Sequence, residues 1–169
     1  MKKLALIALI AIFLSACQAN VRSPLPTGTT FHLNEDIEFH PLQVAVYFQY
    51  GKIVEANSID DYKSNCTLEV KHKLKRTQIF TPDSFSITRI HREITDQYKL
   101  GSLRSQAFAF GGASRYPEYI TEIYLYSKRQ SNIYKLTCQH LEEPESPRHL
   151  TPKDIQNTLG GIITITYPH

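Results

Sequence analysis

The stretch Ser64–Lys75 reads "SNCTLEVKHKLK" and contains the clearest strand pattern in the chain. Apolar side chains recur at every second position, with threonine, glutamate and lysine between them. Because successive side chains of a strand point to opposite faces of a sheet, this period of two predicts a half-buried strand. One predicted face carries Cys66, Leu68, Val70, His72 and Leu74.

A second stretch, Ser131–His140 or "SNIYKLTCQH", places Cys138 on an apolar strand face as well. Two cysteines on apolar faces of strands favour a structural disulfide, Cys66–Cys138, over reactive thiols. The chain has three cysteines. The predicted bond would leave Cys17 to be explained, as an odd cysteine in an exported protein must be.

The N-terminus has the layout of an export signal. Lys2 and Lys3 precede an unbroken apolar run, Leu4–Leu14, which ends at the small residues Ser15 and Ala16. A membrane-spanning helix needs roughly 20 apolar residues, so this run is too short to span.

Residues Leu14–Cys17, "LSAC", resemble the bacterial lipobox, in which cleavage before the cysteine is followed by its acylation. This resemblance implies that residues 1–16 are a lipoprotein signal peptide and that Cys17 carries palmitate or a related acyl chain. Gln18, in place of aspartate after the cysteine, implies sorting to the outer membrane. The alternative is ordinary cleavage after Ala19, which would release a soluble protein.

Residues 17–28 contain two prolines and a glycine without periodicity, and predict a flexible lipid-anchored tether. Residues 29–169 then form a single β-rich periplasmic domain. The chain has 19 basic and 16 acidic residues, and two of the basic ones are Lys2 and Lys3. The predicted mature protein is therefore nearly neutral, and its charge gives no reason to expect nucleic acid as a partner.

Aromatic and β-branched residues dominate the predicted domain, which favours strands. The segments Tyr119–Ser127 and Ser131–Gln139 predict a hairpin around "KRQ". Between Phe85 and Ile94 the apolar residues change parity, which predicts a bulge or bend near Thr88 and Arg89. One helix is indicated by Thr151 as N-cap, Pro152 at N1, Asp154 at N3, the apolar pair Ile155 and Leu159, and Gly160 at the end. The predicted fold is mainly β: a single antiparallel β-sandwich or barrel-like domain with one short C-terminal helix before the last strand.

Three stretches, Tyr47–Lys52, Ile59–Glu69 and Ile79–Ile90, together resemble a group of uncharacterised proteobacterial lipoproteins. The shared features are Gln-x-Gly after a strand, Tyr-x-x-x-Cys (Tyr62 to Cys66) and Pro-Asp-x-Phe (Pro82 to Phe85). The resemblance implies an envelope location and one β domain. It implies no known activity and no catalytic residue.

Four cations at and after the end of the first stretch form an anion-binding candidate, predicted to lie at strand intervals: Lys71, Lys73, Lys75 and Arg76. The other interpretation is a solvated edge strand, on which lysines discourage pairing with another chain. His72 and His140 follow apolar parities near the two cysteines, so they would approach each other if the strands paired suitably. Their spacing matches no metal motif, and partly buried histidines with local hydrogen bonds are the expectation.

No nucleophile elbow is present, since Ser114 in "FGGASRY" lacks the second glycine. Tyr116, Tyr119, Tyr124 and Tyr126 suit recognition of sugar or protein if exposed, or a core if buried. We therefore expect a non-enzymatic outer-membrane lipoprotein, without cofactor or metal, whose domain binds or scaffolds an envelope protein, glycan or lipid. The alternative is a periplasmic hydrolase acting on a cell-wall or lipid component, with a site assembled from residues distant in sequence.

Overall fold

The structure is a computed structural model that describes residues 25–97, 116–142 and 148–168; the side chains of residues 96, 97 and 116 are outside this description. The described residues form ten strands, one α-helix and a 3₁₀ turn at Ala56–Ser58. In chain order the elements are β1 (Thr30–Leu33), β2 (Ile37–Phe39), β3 (Ala45–Gln49), β4 (Lys52–Val54), β5 (Asn65–Val70), β6 (Gln78–Phe80), β7 (Asp83–Gln97), β8 (Tyr116–Tyr126), β9 (Ile133–Leu141), α1 (Pro152–Leu159) and β10 (Ile163–Thr166).

Eight strands form one curled antiparallel sheet in the order β10-β1-β7-β8-β9-β5-β3-β4. The remaining two, β2 and β6, pair with each other, and Phe39 meets Phe80 edge to face with ring centroids 5.2 Å apart. This half-barrel confirms the predicted antiparallel, mainly β class. The predicted β8–β9 hairpin is also present.

The helix α1 lies against β3, β5 and β10, and so covers the concave face of the sheet between its two edges. Its predicted start is confirmed, because Thr151 and Asp154 form a reciprocal capping box and Pro152 follows the cap. At its end Gly160 adopts φ 63°. A Cβ at that position would lie 2.5 Å from the Gly51 carbonyl oxygen, so the turn between β3 and β4 can approach α1 only at a glycine.

The core fills the concave, inner face of the sheet. Alternate residues of β5 and β9 point inward, and Cys66 pairs in register with Cys138. The structure joins these two cysteines in the predicted disulfide, with both residues fully buried. Ile155 and Leu159 of α1 pack onto the same core.

The long strand β7 has the predicted bulge. Ile87 pairs with Leu125 and Arg89 pairs with Tyr124, so Thr88 is the extra residue. Its hydroxyl donates to the Tyr124 carbonyl at 3.2 Å. The bulge moves the inward parity of β7 from odd to even positions, because one inserted residue exchanges the two faces.

The domain begins earlier than the predicted boundary at residue 29. Leu25, within the predicted tether, is 2 % exposed and belongs to the core. A turn in which the Thr29 N–H donates to the Pro26 carbonyl follows it. The packed part of the chain thus begins at Leu25, because an apolar leucine gains more from burial than the exposed turn after it costs.

Candidate functional site

The predicted cationic stripe does not lie on a strand. Strand β5 ends at Val70, and Asn132 then holds the next turn by accepting from the His72 N–H and donating to the His72 carbonyl. This side chain takes the backbone groups that a longer strand would pair, so the strand prediction for residues 71–75 is wrong. The four cations of this loop are all exposed: Lys71, Lys73, Lys75 and Arg76.

The two candidate histidines do not approach each other. Because β5 and β9 are antiparallel and Cys66 faces Cys138, His72 and His140 lie on opposite sides of the disulfide. His72 is exposed and His140 is 5 % exposed. The prediction of partly buried histidines is therefore wrong for His72, which is exposed. It is confirmed for His140, which is almost completely buried.

The tyrosines of β8 are divided between the two faces of the sheet. Tyr119 is buried and faces inward, whereas Tyr124 and Tyr126 have the opposite parity and face outward. They do not form one aromatic surface. The Tyr116 side chain and the loop containing Ser114 lie outside the described residues.

On the outer face, charged and aromatic groups are paired across strands. Lys135 of β9 donates to Glu122 of β8 at 2.7 Å and lies 3.2 Å from Glu69 of β5. Burial by itself lowers the pKa of Lys135, but hydrogen bonds to the two carboxylates outweigh it and raise the pKa above its ordinary value. Beside this group, the Arg89 guanidinium stacks over the Tyr124 ring at 3.9 Å.

On the inner face, beyond the disulfide, five polar or aromatic side chains meet. Register brings them together, because Arg92 pairs with Thr121, Thr121 with Cys138, and Tyr119 with His140. His149, which precedes α1, packs edge to face on Tyr119 with ring centroids 5.3 Å apart. We name this group the inner cluster, and its members are Arg92, Tyr119, Thr121, His140 and His149.

Four buried polar atoms of the inner cluster have no hydrogen-bond partner: Arg92 Nε, Thr121 Oγ1, His140 Nδ1 and His149 Nδ1. Most buried polar groups in native proteins are paired, and an unpaired one costs about 1–3 kcal/mol. These four atoms are the complete set of such atoms among the described residues. Their concentration in one place makes the inner cluster the candidate functional site.

The second ring nitrogen of each histidine is engaged. His140 Nε2 lies 3.0 Å from the Glu142 carboxylate, which can only accept, so this nitrogen donates. The His149 ring has a hydrogen bond to the Ile120 backbone. With these contacts fixing the rings, both free Nδ1 atoms are buried at the inner cluster.

The electrostatics of the inner cluster disfavour a positive charge on His149. Burial lowers the pKa of His149, and repulsion from Arg92 and from His140 lowers it further, against the opposing contact with Ile120. Burial also lowers the pKa of Arg92. Glu142 and Arg148 lie at the border, 3.7 Å apart, and partly offset each other.

The inner cluster is better suited to bind an anion than a metal ion. No group of three histidine, cysteine, aspartate or glutamate side chains in the described ranges could hold a metal. The guanidinium of Arg92 would also repel a cation. By contrast, all four unpartnered atoms donate a hydrogen bond when the histidines are protonated.

A second polar arrangement lies on the outer face near the opposite end of β7. Ser84 and His32 pair across β7 and β1, with Oγ and Nδ1 2.8 Å apart, in an open groove of about 560 Å³. The neighbouring Asp83 borders the same groove, but its carboxylate is engaged, since it accepts from Ser127 and from the Ser84 N–H. Burial raises the pKa of Asp83, but these bonds outweigh it and keep the pKa below its ordinary value.

Sequence reasoning missed Arg92 and His149. Only the bulge at Thr88 turns Arg92 inward, and His149 reaches the sheet from a loop whose position no periodicity predicts. The parity change along β7 was the one signal available for Arg92.

Within the described parts of the chain, no helix has the length and apolarity needed to cross a membrane. No family model, curated protein or solved structure matches this chain.

Proposed function

We propose that the chain is a lipoprotein of the bacterial cell envelope, held by acyl chains on Cys17 at the periplasmic face of the outer membrane. Its β domain binds another envelope component and does no chemistry of its own. The observation that carries this proposal is the buried Cys66–Cys138 disulfide. Such bonds persist in oxidising compartments, and this one uses both cysteines of the domain and leaves Cys17 for the lipid.

The position of Leu25 supports a domain held close to the membrane. Since Leu25 belongs to the core, eight residue steps separate it from Cys17. Fully extended, they reach about 28 Å at most. The domain would therefore work at the membrane surface and not across the periplasm.

The anchor is tested by expressing a Cys17→Ser variant in bacteria fed labelled palmitate. We expect the wild type to incorporate label and the variant to remain as unlabelled precursor, because cleavage and acylation both require the cysteine. Cys138→Ala is the matched control and should incorporate label normally. A Cys17→Ser protein that is cleaved and released in soluble form would contradict the anchor.

Binding is tested by affinity capture from a detergent extract of envelopes, followed by analysis of protein, glycan and lipid. We expect an envelope component, and no nucleic acid, above the level captured by unfolded bait. Recovery of nothing beyond that background would contradict the binding role.

A hydrolase is the second candidate, and the Ser84–His32 contact favours it. An imidazole within hydrogen-bond distance of a hydroxyl can act as a base toward it, so Ser84 would be the nucleophile and His32 the base. Asp83 is engaged with Ser127 and does not orient His32 as the third member of a triad would. This difference places the binding role first.

The hydrolase is tested with a fluorophosphonate probe for activated serines. Labelling that is lost in Ser84→Ala and kept in Ser86→Ala would establish it. Ser86 is the matched control, since it lies two residues along the same strand and donates to the Tyr126 carbonyl. An unlabelled wild type would remove this candidate.

A further inference from the structure

We propose that the inner cluster is a binding site for a phosphate group, with Arg92, Thr121, His140 and His149 as its ligands. The starting point is the convergence of four unpartnered atoms from β7, β8, β9 and the segment before α1. Thr121 is fully buried and His140 is 5 % exposed. A bound group is one of the ordinary explanations for such atoms in a native protein.

The charges favour an anion over water as that group. A buried water could satisfy Thr121 and a neutral imidazole. It would not offset the repulsion among Arg92, His140 and His149, which are close enough for each to lower the pKa of His149. An anion satisfies the hydrogen bonds and removes the repulsion together.

The number and directions of the donors favour phosphate over a carboxylate. The four atoms belong to four residues, three on the neighbouring strands β7, β8 and β9 and one in the segment before α1. A carboxylate offers two oxygens in one plane, whereas a phosphate monoester offers three free oxygens in a tetrahedral arrangement. Arginine, whose guanidinium matches phosphate geometry, is the usual residue for this contact.

The inner cluster lies close to solvent. Arg92 and His149 are half-buried, and Ile94, the register partner of Tyr119, is 57 % exposed. The four unpartnered atoms are themselves buried, so a phosphate group would reach them only when side chains at this border move aside.

The path of the chain places the inner cluster toward the anchored end of the domain. Thr30, the first residue of β1, pairs with Ser86 of β7 and with Thr166, the last residue of β10. The start of β1 and the end of β10 therefore lie on the side of the sheet toward which β7 continues after Ser86. Gly28 and Pro168 are neighbours there, since a Cβ at Gly28 would lie 3.4 Å from the Pro168 side chain. Arg92 lies six residues beyond Ser86 on β7, about 20 Å in the same direction.

This geometry suggests a phosphate at the membrane surface as the physiological ligand, and that part of the proposal rests on the lipid anchor. The tether reaches about 28 Å at most. The inner cluster could therefore meet lipid head groups of the membrane that anchors it. The site for phosphate itself does not depend on the anchor.

The test is a titration of the full-length protein, in detergent and with ¹⁵N-labelled histidine, with inorganic phosphate at constant ionic strength. We expect saturable shifts of the His140 and His149 ring signals. Arg92→Met should weaken binding about tenfold or more, the loss expected for a charge-assisted hydrogen bond. Thr121→Val, which preserves side-chain shape, should weaken binding less and keeps the test valid if Arg92→Met does not fold.

Arg89→Met is the matched control, because Arg89 is on the same strand but stacks on Tyr124 at the outer face. It should leave phosphate affinity unchanged. Equal losses in Arg89→Met and Arg92→Met, or no saturable shift in the wild type, would overturn the site.

The pH dependence provides a second readout. Arg92 of β7 and His140 of β9 act on the charge of His149, and Tyr119 of β8 packs on its ring. Glu142, just after β9, contacts His140 and Arg148, and Arg148 is next to His149 in the chain. Bound phosphate should raise the pKa of His149, so affinity should increase as the pH falls and level off below the depressed pKa of the free protein. Because phosphate takes up a proton in the same pH range, the readout is the ratio of wild-type to His149→Asn affinity. A ratio that stays constant or declines on acidification would contradict the assignment of His149.

Flotation with vesicles distinguishes the two sources of phosphate. Vesicles containing phosphatidic acid, which exposes a phosphate monoester, are compared with vesicles of phosphatidylcholine alone, using Cys17→Ser protein, which carries no acyl chain. Its uncleaved apolar run, residues 4–14, is present in every comparison, so the Cys17→Ser/Arg92→Met protein serves as the reference for both vesicle types. Arg92-dependent flotation with phosphatidic acid, competed by inorganic phosphate, would support a lipid head group. Binding of inorganic phosphate without such flotation would support a soluble phosphate source and overturn the head-group assignment, whatever the result of the palmitate experiment.

Discussion

The two faces of the sheet formed by β7, β8 and β9 carry similar side chains in opposite states. On the outer face, Lys135 lies between Glu69 and Glu122, and Arg89 rests on Tyr124. On the inner face, Arg92 and two histidines come together with four polar atoms unpaired. The strands are the same for both faces, so the difference lies in which side chains the register brings opposite one another.

The difference shows which face serves stability and which is available for binding. Paired groups on a sheet surface add to stability and have little left to offer a ligand. Unpaired buried groups cost stability, and such costs tend to be kept at functional sites. Four sets of substitutions test whether the two faces differ in this way.

The largest effect is expected from removing the disulfide, which borders the inner cluster through the Thr121–Cys138 pair. The cysteines are 72 residues apart, and the Cys66→Ala/Cys138→Ala variant should lose about 4 kcal/mol of unfolding free energy in the chain-entropy estimate. Urea denaturation measures it, and wild type treated with a thiol reductant is the control. A loss below about 1 kcal/mol would mean that the inner face does not depend on this bond.

The next effect tests the outer face. Lys135→Met should destabilise the domain by about 2–3 kcal/mol at neutral pH, because Glu69 and Glu122 lose their shared cation in a partly exposed site. Lys128→Met, in the exposed hairpin turn, is the control and should have little effect.

The same variant has an expected pH dependence. The hydrogen bond from Lys135 lowers the pKa of Glu122 in the folded protein. The stabilisation that this hydrogen bond contributes is therefore fully present above the ordinary pKa of 4.5 and is lost as the pH falls through the lowered pKa. The difference between wild type and Lys135→Met should therefore shrink below pH 4.5. A difference that stays constant would show that the pairing with Glu122 is not its source.

A pair of identical substitutions compares the two faces directly. Thr121→Val on the inner face should stabilise the protein by about 1 kcal/mol, because it removes a buried hydroxyl without a partner. Thr137→Val on the outer face should destabilise it by a similar amount, because Thr137 donates to Glu69 at 3.0 Å. Urea denaturation of both variants decides the matter, and equal signs would remove the distinction between the faces.

The smallest effect concerns His149 in the absence of phosphate. Its pKa is depressed in the folded state, so the unfolded chain takes up a proton more readily and stability should decline as the pH falls below 6.5. His149→Asn should flatten the profile of unfolding free energy against pH between 6.5 and the depressed pKa. A variant profile with the same slope as the wild type would indicate that His149 does not titrate in this environment.

Much of the fold could be predicted because its signals are local. The Thr151 cap and Pro152 fix the start of α1 through contacts within four residues. The parity change along β7 predicted the bulge, since an inserted residue leaves its mark in the alternation itself. The strand prediction for residues 71–75 was wrong because it also used a local signal. The alternation of side chains continues through these residues, but Asn132, which is distant in sequence, binds the backbone of His72 and the strand ends before it.

The candidate site could not be predicted, because it depends on pairing between segments far apart in sequence. Tyr119 meets His140 and Arg92 meets Thr121 only through the order and register of β7, β8 and β9. His149 joins them from the loop before α1. None of these positions carries a motif that would have identified it alone.

Local patterns in the chain are enough to predict the strand-rich class, the capped helix, the bulge and the two cysteines suited to bond, because alternation, capping and side-chain chemistry act over a few residues. Which charges are paired followed from the packing of the strands. Antiparallel register moved His72 away from His140, placed Lys135 between two carboxylates, and gathered Arg92, His140 and His149 where they repel one another. Electrostatic energy depends on distance in space and on burial, and neither is set until the strands have paired.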